Sequence, residues 1–173
     1  ERSLEQTQNK LSSLETTIEN NQLMINLLQQ EQSNLKQEHE NKEQLIEERE
    51  QAIAHLKEEK QQLLDWLFTQ SSIYKRVITL SGQISTNKKQ MKALIATEQE
   101  QLRKTVFGIY QSYISFLQNE YPRLTEDDKL LLCLQETSLE PLSIAICFGY
   151  TDTHPLNQKK YRLKERMNKE KRK

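Results

Sequence analysis

The densest chemical signal in the chain is a run of cations near its C-terminus: Lys159, Lys160, Arg162, Lys164, Arg166, Lys169, Lys171, Arg172 and Lys173, opposed only by Glu165 and Glu170. Fixed positive charge at this density suits phosphate, because each Lys or Arg that meets a nucleic-acid backbone releases condensed counterions. Other chemistries find less support. His39, His55 and His154 are far apart and form no ligand cluster with the cysteines, which argues against a metal site. No nucleophile stands beside a base, no glycine loop is built to cradle phosphate, and the acids of the N-terminal half read as a solvated face. The expectation is therefore a non-enzyme with no cofactor and no small-molecule substrate. Cys133 and Cys147 each lie among apolar residues, as buried thiols of a reducing compartment would.

The cations need a helix to carry them and a support to hold that helix. Thr125-Glu126-Asp127-Asp128 has the spacing of a capping box, in which the threonine accepts from the N3 amide and the N3 acid reaches back, so a helix begins there with Leu130, Leu131, Cys133 and Leu134 on its apolar face. Ser138 is expected to cap a second helix, with Pro141 in its first turn and Leu142, Ile144, Ala145, Ile146 and Phe148 buried. Gly149 stops that helix, because glycine accepts the left-handed conformation just past a helix end. Thr151, Asp152 and Thr153 are competent caps for a third helix, and Pro155 suits its first turn. Three short helices with a tight glycine bend before the last, basic one form the layout of a helix-turn-helix. A helix with polar residues at its start and cations along its length can enter a major groove and hold the flanking phosphates.

Upstream, a seven-residue repeat dominates. With Leu4 at position a, the a sites are Leu4, Leu11, Ile18, Ile25, Gln32, His39, Ile46, Ile53, Lys60 and Leu67, and the d sites are Thr7, Leu14, Asn21, Leu28, Leu35, Lys42, Arg49, Leu56 and Leu63. A heptad kept without a skip for that long imposes a left-handed coiled coil, and at about 1.5 Å per residue the helix reaches on the order of 100 Å. Isoleucine at a with leucine at d favours a parallel pair, and Asn21 in the seam is the kind of polar residue that fixes register. Between flanking positions of a parallel pair, Lys10 meets Glu15 and Glu31 meets Lys36, whereas Glu38 meets Glu43. An antiparallel pairing, or a bundle that uses Met24, Leu27 and Leu45, stays open. Gln32, His39, Lys42 and Arg49 weaken the middle of the seam, either as a tolerated defect or as a pliable zone that transmits a register change.

Between coil and basic unit, Ser72 is expected to cap a helix carrying Ile73, Val77, Ile78 and Leu80 that ends at Gly82, followed by a loop over Gln83 to Asn87. A further helix with Met91, Leu94 and Ile95 leads to Thr97-Glu98-Gln99-Glu100, a second capping box. Leu102, Val106, Ile109, Tyr113, Phe116 and Leu117 then keep helical spacing as far as Tyr121-Pro122. Tyr110, Tyr113, Phe116 and Tyr121 are read as core rather than as a pocket. The fold class is all-α: a coiled coil over 1-70 for dimerisation, connecting helices over 71-121, and a helix-turn-helix domain with a basic tail over 122-173.

Charge divides along this plan. Residues 1 to 70 carry seven basic and fourteen acidic residues and residues 153 to 173 carry nine and two, so one end of the chain suits nucleic acid and the other repels it, although the net charge is zero. No apolar run approaches the roughly 18 residues of a membrane span. At 173 residues without an initiator methionine, the chain reads as a piece of a longer protein.

Tyr121-Pro122-Arg123-Leu124-Thr125-Glu126-Asp127-Asp128, Leu131-Leu132-Cys133-Leu134, Ile144-Ala145, Gly149 and Tyr161-Arg162-Leu163-Lys164 together resemble the C-terminal domain of a bacterial regulator family. In that family tetratricopeptide repeats, usually a transmembrane helix, a coiled coil and a LuxR-like helix-turn-helix follow one another. Leu67-Phe68 with Ser72-Ile73-Tyr74-Lys75-Arg76 is similar to its linker, so the likeness covers about the last two thirds of the chain. The resemblance implies a cytoplasmic, dimeric transcriptional regulator that binds double-stranded DNA, with its full-length form anchored in the inner membrane by an upstream segment. It places the recognition helix on His154 to Met167. Thr153, His154, Asn157, Gln158 and Lys160 are then expected to face the groove, and Lys159, Arg162, Lys164 and Arg166 to lie nearer phosphate. Here the segment from Gly149 to Arg162 is one residue longer than the family spacing, and His154-Pro155 stands where a small residue and an aliphatic are usual. Those departures favour the alternative: a non-enzymatic oligomerisation or protein-interaction module whose helix-turn-helix no longer binds DNA.

Overall fold

The computed structural model describes residues 1–86 and 92–171, and among these it is all-helical, with no strand. The expectations placed on Asn87, Met91, Arg172 and Lys173 fall outside the described residues. Among the described residues seven helices follow one another: α1 (Arg2–Thr69), α2 (Ser72–Thr86), α3 (Ala96–Ile109), α4 (Gln111–Glu120), α5 (Glu126–Gln135), α6 (Pro141–Cys147) and α7 (His154–Lys171). They divide into two units, Glu1–Leu56 and Lys57–Lys173.

The first unit consists of α1 as far as Leu56, and every residue in it is exposed. A lone helix has no tertiary face to hide, so its local bonds run along the helix: Lys42 Nζ to Glu38 Oε1 at 3.1 Å and His39 Nε2 to Glu43 Oε1 at 3.0 Å. The apolar a and d residues therefore lie unburied.

The second unit has the core. Phe68, Val77, Leu80, Leu102, Val106, Leu117, Leu130, Leu131, Leu134, Ile146 and Leu156 are almost fully enclosed, so the end of α1, the connecting helices and the helix-turn-helix share one apolar interior. Two polar ties fix the end of α1 in this unit. Gln61 Nε2 donates to the Glu136 carbonyl at 2.7 Å, and Asp65 Oδ1 accepts from the Ser138 amide at 3.1 Å and its hydroxyl at 3.3 Å.

Several local expectations need correction. Ser71, not Ser72, caps α2, its hydroxyl accepting from the Tyr74 amide at 3.2 Å, and α2 runs through Gly82 to Thr86, so the expected stop and the loop from Gln83 are absent. A Cβ at Gly82 would meet nothing within 4 Å, so only intrinsic propensity opposes helix there. Of the apolar residues this helix carries, Ile78 is exposed, whereas Ile73, Val77 and Leu80 are buried. Leu94 and Ile95 are not helical: the Leu94 amide donates to the Ile146 carbonyl at 3.2 Å, which ties this segment to α6 in extended form. Helix α3 starts at Ala96, one residue before the expected Thr97 cap. Its N-cap Ile95 has no side-chain acceptor, and Glu98 reaches back to the Ile95 amide at 3.2 Å, half of a capping box. The helix read as continuous from Leu102 to Leu117 breaks at Tyr110, two residues after Gly108. Tyr110 is buried, whereas Phe116 is exposed and stacks on Tyr113 with ring centroids 6.4 Å apart.

Candidate nucleic-acid interface

The basic helix is built on three neighbours, beginning with α5. The capping box expected at its start is present: Thr125 Oγ1 accepts from the Asp128 amide and Asp128 Oδ2 from the Thr125 amide, each at 3.1 Å. Its last turn leads into a loop where Ser138 serves the Asp65 carboxylate rather than capping. The N-cap of α6 is Glu140, with Pro141 at the first helical position where a missing amide costs little.

Helix α6 ends as glycine chemistry requires. The Tyr150 amide donates to the Ala145 carbonyl at 3.0 Å and the Gly149 amide to the Ile146 carbonyl at 3.1 Å, the paired bonds of a Schellman motif, with Gly149 at φ 84°. Six residues, Phe148 to Thr153, separate α6 from α7. Phe148 and Tyr150 stack at 6.5 Å within this turn, and the Lys159 ammonium lies 5.1 Å from the Phe148 ring centroid. At its start, Asp152 Oδ1 accepts from the His154 amide at 2.8 Å, so one of the three candidate caps serves.

Helix α7 runs past Met167 to Lys171 and has three kinds of surface. Leu156 and Leu163, two turns apart, are buried, and Met167 packs partly beside them. One flank is bound to α5: Lys159 Nζ lies 3.3 Å from Asp127 Oδ2, and Arg166 meets the buried carboxylate of Asp128. Arg103 of α3 joins from the other side, 2.9 Å from Asp127 Oδ1. Glu170 reaches the turn before α5, accepting from the Arg123 amide at 2.9 Å. The opposite face is open, where His154, Asn157, Gln158, Tyr161 and Arg162 line a shallow depression and all five are exposed.

The sequence-predicted residues thus fall into separate groups. His154, Asn157, Gln158 and Arg162 share the open face, with Lys164 exposed at its edge. Thr153 sits half-buried before the helix, where its carbonyl accepts from the Asn157 amide at 2.9 Å. Lys160 is half-buried on the flank away from α5. Lys159 and Arg166 are engaged by Asp127 and Asp128. Among the described residues, Lys160, Arg162 and Lys164 show no ion pair.

Tyr161 was not placed among the expected DNA contacts, although it lies one turn after Asn157 and two turns after His154 on the same side. It is 65% exposed, and donation of its hydroxyl to the Glu165 carboxylate, together with that carboxylate's charge, raises its phenol above the ordinary value. Arg103 was missed as well, and no local pattern marks it. The two cysteines are buried free thiols, each pushed up to about 12 chiefly by burial. No group of His, Cys, Asp and Glu among the described residues is arranged to hold a metal, and no helix is long and apolar enough to cross a membrane.

This arrangement can present hydrogen-bonding and aromatic side chains to a polar partner, with a few unpaired cations at the margins. Compared with known protein families, curated proteins and solved structures, the chain matches none.

Proposed function

We propose that the chain is the DNA-binding part of a transcriptional regulator, paired through α1 and reading duplex DNA with α7. The observation that carries this reading is the open face of α7, where His154, Asn157, Gln158, Tyr161 and Arg162 are exposed together on a helix fixed to its support by the opposite side. Asn and Gln side chains match adenine edges and Arg matches guanine, while Lys160, Lys164 and Lys169 are suited to the flanking phosphates. The resemblance to LuxR-like regulators of the tetratricopeptide-repeat and coiled-coil type supports the same assignment. It carries with it a cytoplasmic site of action, an upstream anchor, and no catalytic role, cofactor or small-molecule substrate.

The test is duplex binding over a salt series. Affinity is expected to fall as salt rises, with a log–log slope of about −0.9 for each phosphate neutralised, and Lys160→Glu with Arg162→Glu is expected to abolish binding while leaving the helical content unchanged. Binding that ignores salt, or survives the double substitution, refutes it.

A second reading, a protein-interaction module without DNA contact, draws on one observation: Arg103, Lys159 and Arg166 are neutralised by acids of α5. On that reading the full chain assembles but sediments identically with and without duplex DNA.

A further inference from the structure

The a and d positions of α1 form a largely apolar face whose Leu and Ile residues are exposed among the described residues. Twelve of the nineteen are Leu or Ile, and those twelve are 48% to 67% exposed. Within the second unit, α1 packs through Gln61, Leu64, Asp65 and Phe68, which lie off the seam, while Leu63 and Leu67 on the seam stay open. The contacts that bind α1 to its own chain therefore leave the heptad seam free to its last member.

From this seam, and resting on the pairing proposed above, we infer that its occupant is a second copy of the chain, bound parallel and in register. The order of the seam residues separates the two orientations. In a parallel pair each layer joins a residue to its own copy, so all twelve apolar positions meet apolar partners and Asn21 meets Asn21, where two amides can hydrogen-bond. An antiparallel pair sets a against d. In one of the two alignments that keep nearly the whole seam paired, Ile18 meets Arg49, Ile25 meets Lys42 and Ile46 meets Asn21. In the other, Ile25 meets Arg49, Ile53 meets Asn21 and Leu14 meets Lys60. Either alignment sets apolar side chains against cations or a lone amide, and burying an uncompensated polar group is the costlier arrangement.

The parallel pair also has unfavourable layers, at Lys42, Arg49 and Lys60, but all three side chains are long enough to turn their charges out of the seam. Lys42 is already held by Glu38 of its own helix at 3.1 Å, and His39 holds Glu43 at 3.0 Å. The same two bonds soften the one repulsive flank pair, Glu38 against Glu43, while Lys10 with Glu15 and Glu31 with Lys36 attract. Pairing at Leu63 and Leu67 brings two copies of the second unit side by side, which half-sites on one face of a duplex require.

Cysteine cross-linking of the full chain tests the orientation independently of DNA. Leu14→Cys and Leu63→Cys, prepared separately and mildly oxidised, are each expected to give an interchain disulfide in most molecules, with sedimentation at the dimer mass. The native chain is the control, since Cys133 and Cys147 are buried and do not compete. A dimer in which neither variant links to itself, but Leu63→Cys links to Leu4→Cys or Leu11→Cys in a mixture, overturns the orientation and leaves pairing through α1 standing. A monomer at micromolar concentration overturns both, and a trimer or larger assembly overturns the two-chain seam.

Discussion

Substituting Gly149 by alanine tests the turn on which α7 is mounted. The residue has φ 84°, and a Cβ there would stand 2.8 Å from Gln99 Nε2 and 3.6 Å from the Leu94 carbonyl. Two separate costs follow. Forcing an L-residue into the left-handed region costs about 1–2 kcal/mol. The Gln99 side chain is flexible and can withdraw, but it then gives up its 2.8 Å hydrogen bond to the Leu94 carbonyl, worth about 1 kcal/mol. Together Gly149→Ala is expected to lower the unfolding free energy by about 2–3 kcal/mol, read from the urea midpoint at fixed protein concentration. Gln99→Ala alone should cost about 1 kcal/mol. In the double variant the crowded contact no longer exists, so the two effects should fall short of additivity by about 1 kcal/mol. A Gly149→Ala cost below about 0.5 kcal/mol refutes the requirement for left-handed backbone, and strict additivity refutes the contact with Gln99.

Three further outcomes follow from the same contacts. Asp127→Asn frees Lys159 and leaves Arg103 only its 3.4 Å pair with Glu100, so duplex affinity at low salt should rise several-fold and the salt slope should steepen by about one, with stability changed by less than about 1 kcal/mol because the pair is partly exposed. Equal or weaker affinity counts against the neutralising role assigned to that acid. Asp65→Ala removes the acceptor for both Ser138 donors and should cost about 1–2 kcal/mol in a urea titration, whereas no change means that the tie is not stabilising. The thiols of Cys133 and Cys147 are raised from 9.0 to about 12 in the folded chain, so the unfolded chain ionises first as pH rises. Their contribution is complete below pH 9 and is lost between 9 and 12, at no more than about 1.4 kcal/mol per pH unit for each thiol. The phenols of Tyr110 and Tyr113, raised from 10.0 to about 12 mainly by burial, add to that loss above pH 10. A urea midpoint that stays level between pH 8 and 10.5 contradicts this.

What could be read in advance from the sequence was whatever is decided within a few residues. The helix that carries the heptads, the Thr125 capping box and the Gly149 stop are local devices, and each occurs where its residues stand. The failures share a different cause. Ser71 and Ser72 are equally able to cap, and Ser138 and Glu140 both precede Pro141; the choice falls to tertiary partners, Asp65 claiming Ser138 and Ile146 claiming the Leu94 amide. Gly82 is a helix breaker only where nothing else sustains the helix, and Ile73, Val77 and Leu80 anchor α2 in the core. At the candidate site, the cations were visible as a count but not as a geometry. Lys159 and Arg166 find their carboxylates 32 and 38 residues away, on a helix whose acids already had a local reason to be there.

That double service shapes the proposed interface. Asp127 and Asp128 favour the start of α5 as first-turn acids, Asp128 closes its capping box, and the same carboxylates grip one flank of α7. The grip fixes which side of α7 faces outward, and it does so by neutralising two of the helix's own cations. The open face is consequently more polar than basic, with Arg162 central to its charge. On the proposed DNA-binding reading, a single copy would release few counterions on meeting a duplex, and its affinity would be correspondingly low. Under the proposed pairing, two copies joined along α1 would engage two half-sites with the second contact made intramolecular, which raises the apparent affinity without any new contact. On this reading, the seam of α1 supplies through pairing the binding strength that the acids of α5 withhold from each α7.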